Sequence, residues 1–324
     1  MADITTRDAG SGVHLPAAEL GKGQREDFGF FGPGSPTWQV WTAPTALIGF
    51  QRAVVLEHFD PFLAASVADM QGIYRDPAVR LDHTLAYFLT VATADGRTAT
   101  ALADHLAQVH KQSTGIEPVS GKRYSANSPE SQLWIHITGW HSVLKCYEMY
   151  GPGKLSDEDE RRYWAECAIA AELQTCKSTD VPTTRDGVRA YFAEVRPRLC
   201  TSERANKAMH YLLRTPVKRG GLQFAAGSRL IAPLAIASLP NWMRELGGFD
   251  QPAVMDKAVT PLARVAVRVA SRPRFELAIL KALAPGTGRV LSRHLHATAP
   301  AFEGTVTPAQ VRAWASAESV ASSG

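Results

Sequence analysis

Two histidines in the segment DHLAQVHKQSTG, residues 104–115, could carry chemistry, because a neutral imidazole can bind a metal or move a proton near neutral pH. They lie at the end of a predicted helix whose apolar stripe, at about 100° per residue, consists of Leu102, Leu106 and Val109. His110 falls on the edge of this stripe, and His105 flanks its other side. A buried ring nitrogen without a partner costs about 1 to 3 kcal/mol. His110 is therefore either hydrogen-bonded within the core or a ligand.

An arginine and a threonine lie one turn apart on a second predicted helix, DPAVRLDHTLAYFLTVATA, residues 76–94. This segment is apolar nearly all round, which predicts a buried helix. Arg80 and Thr84 share one face, and His83 lies at its margin. A guanidinium in a core needs an anion. That anion is either a carboxylate of a ligand or one of three nearby acids, Asp69, Asp76 and Asp82.

The elements that must position these groups are predicted to be helices. Apolar residues recur with helical spacing, few stretches alternate as strands do, and Ser or Thr precedes acidic residues at several helix starts. The folded part begins near Phe28, after a polar, Gly-rich segment, and the end ESVASSG is a polar tail; both ends are predicted to be mobile. The predicted helices span residues 44–72, 77–94, 97–112, 129–150, 156–174, 184–196, 202–214, 221–247 and 252–284.

Composition excludes several classes of protein. The 324 residues are 45% hydrophobic, enough to bury a sizeable core, and the net charge of +4 is too thinly spread for nucleic acid as the primary partner. No apolar run approaches the roughly 20 residues that cross a bilayer, and the four cysteines form no CxxC pair. We expect a cytoplasmic protein. The basic run from Arg264 to Arg293 is either a helix that touches anionic lipid or a solvated helix face.

Most catalytic motifs are missing from the chain. There is no Glu-x-x-His repeat, GxSxG elbow, HExxH or phosphate-binding loop, and GPGSPT at 32–37 is better interpreted as a turn that leads into a helix N-cap. What remains is a helical domain with histidines, aromatic residues and a core arginine. This inventory suits a haem pocket, with one imidazole ligand, apolar walls and a cation for a propionate.

Several ordered blocks resemble the latex clearing protein and MpaB-like oxygenase family, the rubber oxygenase catalytic domain. The resemblance spans about residues 29–240 and rests on GPGSPTWQVWTAPTALIGFQRAVVLEHFDP, DPAVRLDHT, VHKQSTG, GKRYSANSPESQLWIHITGWHSVL and LSDEDERRYWAECAIAAEL. It implies a single large all-α domain that encloses a b-type haem, which we place at residues 28–290. A flexible segment, 1–27, would precede it, and a C-terminal extension, 291–324, would follow.

The resemblance also implies roles for particular residues. His110 matches the family's axial haem ligand, and Arg80 and Thr84 match a pair that flanks the haem. His83 stands where the rubber-cleaving enzymes have a lysine, so it could be a sixth iron ligand or a hydrogen-bond donor to dioxygen. Trp134 and His136 match a further block and could line the pocket or reach a propionate; a buried structural role for His136 is the alternative.

The rubber enzymes' catalytic glutamate has no counterpart here. Its position falls near Ala64 or Ala65, and the nearest acids are Glu57 and Asp69, each out of register. His105 is assigned to structure or to support of His110, and the role of His58 stays open. Rubber itself is therefore not implied as the substrate.

The sequence thus predicts a haem-dependent oxygenase that acts with dioxygen on a hydrophobic small molecule or lipid. One alternative is a haem carrier or a redox or gas sensor with bis-histidine iron, and another is a helical scaffold without haem. Peripheral contact with a membrane is left open, and so are the identity of the substrate and the oligomeric state.

Overall fold

The computed structural model describes residues 24–70 and 72–322, which form helices and one short hairpin. The predicted all-α fold is confirmed. The hairpin pairs β1 (Thr114–Ile116) with β2 (Arg123–Ser125) in antiparallel register. The helices are α1 (Pro36–Trp41), α2 (Thr45–Glu57), α3 (Pro61–Met70), α4 (Gly72–Arg75), α5 (Pro77–Thr93), α6 (Gly96–His110), α7 (Pro129–Tyr150), α8 (Asp157–Ala171), α9 (Arg185–Val195), α10 (Glu203–Leu213), α11 (Val217–Ala237), α12 (Asn241–Leu246), α13 (Ala253–Ala270), α14 (Pro273–Leu283), α15 (Pro285–Leu295) and α16 (Pro308–Ser322).

Side-chain caps start several helices where the sequence predicts them. The hydroxyls of Ser156 and Ser202 accept from backbone N–H groups three residues on, at the starts of α8 and α10. Ser35 in GPGSPT caps α1 in the same way, and Pro36 follows in the first turn. Ser128 precedes α7 but makes no such bond. Local sequence therefore fixes most of these starts.

Three predicted helices are wrong in their length, because prolines and caps divide them. The segment 44–72 forms α2, α3 and α4; Pro61 begins α3, and the carboxylate of Asp60 accepts from Leu63 N at 2.9 Å. Proline lacks an N–H and disfavours helical backbone in the residue before it. Pro240 likewise separates α11 from α12, and Pro273 separates α13 from α14.

The centre of the fold is the pair α2 and α7. A Cβ on Gly49 would lie 2.6 Å from Val143 Cα, so only glycine lets the two helices approach this closely. Arg52 of α2 is also buried and donates to Ser142 Oγ at 2.6 Å. This second core arginine was not predicted from the sequence. The pair fixes the position of the end of α2, on which the cavity described below depends.

The first and last described segments pack onto the same core. Asp82 of α5 accepts from the backbone N–H groups of Gly286 and Thr287 at 2.6 and 2.8 Å, which joins α15 to α5. Asp27 accepts from Gly96 N at 2.9 Å, and α16 packs on α6. Of the segments predicted to be mobile, residues 1–23 and 323–324 lie outside the described residues, whereas 24–27 are described and 318–322 belong to α16. Within the described range, no helix is both long and apolar enough to cross a membrane.

Candidate functional site

A partly enclosed cavity of about 140 Å³ lies between α2, α3, α5, α6 and α7. Its apolar wall includes Phe50, Val54, Leu63, Phe88 and Leu106, and its polar residues are Glu57, His58, Ser66, Arg80, His83, Thr84, Tyr87, His110, Gln132 and Gln174. Most residues predicted to form a site therefore meet in one place. On α5 the polar lining follows the spacing i, i+3, i+4 and i+7, as one helix face requires.

His110 is the last residue of α6, and its side chain lines the cavity. Asn127 donates one amide N–H to Ala107 O at 2.8 Å, and its side chain also hydrogen-bonds the His110 ring. Burial and the nearby Arg80 guanidinium lower the pKa of His110 to about 4, although the bond to Asn127 opposes this shift. His110 is thus neutral at neutral pH. One ring nitrogen is oriented by Asn127, which leaves the other for a ligand bond.

Arg80 faces a different carboxyl group from those considered in the sequence. Asp76 caps α5, Asp82 binds α15, and Asp69 accepts from the Tyr124 hydroxyl at 2.6 Å, so the alternative in which an aspartate pairs with Arg80 is not found. The acid whose charge acts on Arg80 is Glu57. Arg80 is half-buried rather than fully buried.

The pKa of Glu57 differs strongly from its ordinary value. Burial raises the pKa of Glu57 to about 8, and the positive charge of Arg80 works against that rise. The carboxyl group is therefore mostly protonated at neutral pH and can give or accept a proton in the cavity. Of the two acids considered in the sequence analysis, Glu57 lines the cavity and Asp69 lines a surface groove instead.

Helix α3 is the wall between the cavity and that groove. Leu63, Ser66, Val67 and Met70 face the cavity, whereas Ala64 and Ala65 face the groove. The position where the rubber enzymes' glutamate would fall thus points away from the cavity. His58, which precedes α3, lines both spaces.

His136 and Trp134 lie behind the cavity lining. His136 is 1% exposed, with Nε2 at 2.7 Å from Cys167 O and Nδ1 at 3.0 Å from Gln174 Nε2, so both ring nitrogens already have protein partners. The indole of Trp134 donates to Glu57 O at 3.4 Å. These two residues therefore reach the cavity only through Gln174 and Glu57.

Two further histidines, His105 and His141, lie away from the cavity. His105 is exposed on α6 and does not line the cavity. His141 packs on Phe192 with Nδ1 at 3.3 Å from the Arg52 guanidinium. Only His58, His83 and His110 bring imidazoles to the cavity within the part of the chain that the structure describes.

The lining residues fit the chemical needs of a b-type haem. Such a group needs one neutral imidazole as axial ligand, apolar walls and cations near its propionates. His110 offers the imidazole, Phe88 and Leu106 offer apolar walls, and Arg80 offers the cation. A porphyrin is larger than 140 Å³, so the lining side chains would have to move apart for a haem to bind there. Among the described residues, no group of three or more His, Cys, Asp or Glu is arranged to hold a metal ion.

Comparison with known proteins gives one match. Residues 38–272, well over half of the chain, match the family described as ER-bound oxygenase mpaB/B'/Rubber oxygenase, catalytic domain. No curated protein and no solved structure gives a match. The matched range includes every polar residue of the cavity lining.

Proposed function

Since the chain belongs to the family of mpaB and rubber oxygenase catalytic domains, we propose that it is a haem-dependent oxygenase that acts with dioxygen on a hydrophobic small molecule or lipid. One observation carries this proposal: a single, mostly apolar cavity collects His110, Arg80, His83 and Thr84. Haem b would supply the redox chemistry with dioxygen. We place the oxygenase domain at residues 28–290.

The residues of the cavity have different roles in the proposed reaction. His110 would hold the haem iron through its neutral imidazole, and Arg80 would place a positive charge beside a propionate or dioxygen. The Thr84 hydroxyl donates to Arg80 O at 2.9 Å, so its lone pairs remain as acceptors. His83 is either a second ligand or a donor to dioxygen. Glu57 holds or gives a proton beside Arg80, and the apolar wall excludes water.

A haem carrier or sensor is the second candidate, because His83 lies on the same α5 face as Arg80 and could keep the iron six-coordinate. A carrier has no need for a charged, water-excluded reaction site. Turnover therefore distinguishes the two candidates.

The first test is dioxygen consumption by the reduced protein. We expect one of three substrate classes, isoprenoid, unsaturated fatty-acyl or aromatic, to raise the rate and to yield an oxygenated product by mass spectrometry. Oxidation of the iron without a product from any class would favour the carrier or sensor.

We also propose that α13 contacts an anionic membrane surface. Val254, Leu262 and Val265 share one face and are 74%, 68% and 63% exposed. Lys257 and Arg268 lie on the adjoining side, and both are exposed. An apolar face beside a basic row is typical of helices that lie in the lipid interface, where each basic residue contributes about 1 kcal/mol.

Vesicle co-sedimentation tests this contact. We expect binding to phosphatidylcholine vesicles that contain phosphatidylserine, weaker binding without it, and loss of binding in Leu262→Glu. Val119→Glu is the matched control, because Val119 is 71% exposed on the hairpin loop, away from α13. If the wild type binds neither vesicle, or if α13 instead joins two copies of the chain in solution, the membrane contact is wrong.

A further inference from the structure

Two residues that line the cavity each have one buried side-chain atom without a hydrogen-bond partner. These atoms are His58 Nε2 and Gln174 Oε1. A polar atom that is buried and unpaired destabilises the fold by about 1 to 3 kcal/mol, so such atoms are rare unless something else pairs with them. The bonds of the neighbouring atoms show what kind of partner each one needs.

His58 presents a lone pair. The side chain is 3% exposed, and Nδ1 lies 2.6 Å from Val54 O. A carbonyl oxygen can only accept, so Nδ1 must carry the proton of this bond. Burial also lowers the pKa of His58, which keeps the ring neutral. Nε2 therefore has no proton and can only accept.

Gln174 presents a carbonyl oxygen for a similar reason. His136 Nε2 lies 2.7 Å from Cys167 O and must donate to it, and burial lowers the pKa of His136 to about 4, so its Nδ1 is a lone pair. The Gln174 atom 3.0 Å from that Nδ1 must then be the amide nitrogen. Gln174 Oε1 is thus the amide atom left without a partner.

We propose that the substrate of the cavity is a hydrophobic alcohol rather than a bare hydrocarbon. Both unpaired atoms are acceptors, and a hydroxyl group is a neutral donor that can pair with one of them in an apolar space. An ammonium group would also donate, but it would place a second positive charge beside Arg80. A hydrocarbon would leave both acceptors unpaired. That the alcohol is a substrate rests on the proposed oxygenase function. That the cavity binds an alcohol more tightly than a molecule without a donor does not rest on it.

A comparison of two isomers, 1-hexanol and 1-methoxypentane, tests the effect of a hydrogen-bond donor on binding. Both have the same atoms and a similar length, but only the alcohol donates a hydrogen bond. We expect the protein as purified to bind 1-hexanol about tenfold more tightly in isothermal titration calorimetry, since one acceptor becomes paired. His58→Phe and Gln174→Leu should each reduce that ratio, and His105→Phe, which changes an exposed histidine of α6, should leave it unchanged.

Circular dichroism of each variant confirms that it is folded before its ratio is interpreted. Equal affinity of the wild type for the two isomers would overturn the alcohol preference while leaving the oxygenase proposal standing. Loss of the axial-ligand bands of the haem spectrum in His58→Phe, with the alcohol ratio unchanged, would assign His58 to the iron and overturn its role here. Absence of haem from the wild type would overturn the oxygenase proposal. The ratio of the affinities for 1-hexanol and 1-methoxypentane would still test the preference for an alcohol.

Discussion

His110→Ala is expected to purify without a Soret band, with its helical content close to that of the wild type. The imidazole of His110 is neutral, oriented by Asn127 and exposed to the cavity, and no lining residue next to it on α6 can replace a lost ligand bond. A hydrogen bond in the same pocket contributes only about 0.5 to 1.5 kcal/mol. Absorption and circular dichroism spectra of the purified variant measure both quantities.

Three other histidines serve as comparisons. His136→Ala should retain more haem, because both ring nitrogens of His136 are bound to protein atoms, and His105→Ala should retain all of it. If His83 is the sixth ligand, the resting wild type is six-coordinate and low-spin, and His83→Ala becomes five-coordinate or water-bound with faster carbon monoxide binding. A normal haem spectrum in His110→Ala would move the axial ligand to another imidazole, and His58 is the next one in the cavity lining.

Arg80→Ala should retain haem but oxidise substrate about 100-fold more slowly, the effect typical of removing one preorganised donor from a water-excluded site. The same change should move the pH dependence of the rate. Arg80 holds the pKa of Glu57 below the value that burial alone would produce, so its loss raises that pKa further above about 8. Any step that needs the ionised carboxylate then begins at a higher pH. Initial rates of dioxygen consumption across a pH series measure both effects.

Arg189→Ala is the matched control, because Arg189 is an exposed arginine whose partner Asp186 lies on the same helix. It should leave the rate and the pH profile unchanged. If Arg80→Ala consumes dioxygen at the wild-type rate and its profile is unmoved, Arg80 has no part in the reaction and the carrier or sensor becomes the better interpretation.

The sequence by itself determined the features that depend on neighbours along the chain. Helical spacing places Arg80 and Thr84 on one face of α5 with His83 at its margin, and His110 on the edge of the stripe of α6, and the structure finds all four in the cavity lining. Caps such as Ser35 start helices where the sequence shows them. These features are local, because a helix repeats every 3.6 residues or so whatever it packs against.

Only the tertiary structure decided which groups meet across helices. It placed Glu57 rather than an aspartate beside Arg80, directed Ala64 and Ala65 into the outer groove, left His58 Nε2 unpaired in the cavity lining and put His136 behind Gln174. Periodicity gives the direction of a side chain within its own helix but not the helix it faces. That partner depends on how closely the helices approach, as α2 and α7 do at Gly49, and on the turns that divide them, as Pro61 divides α2 from α3.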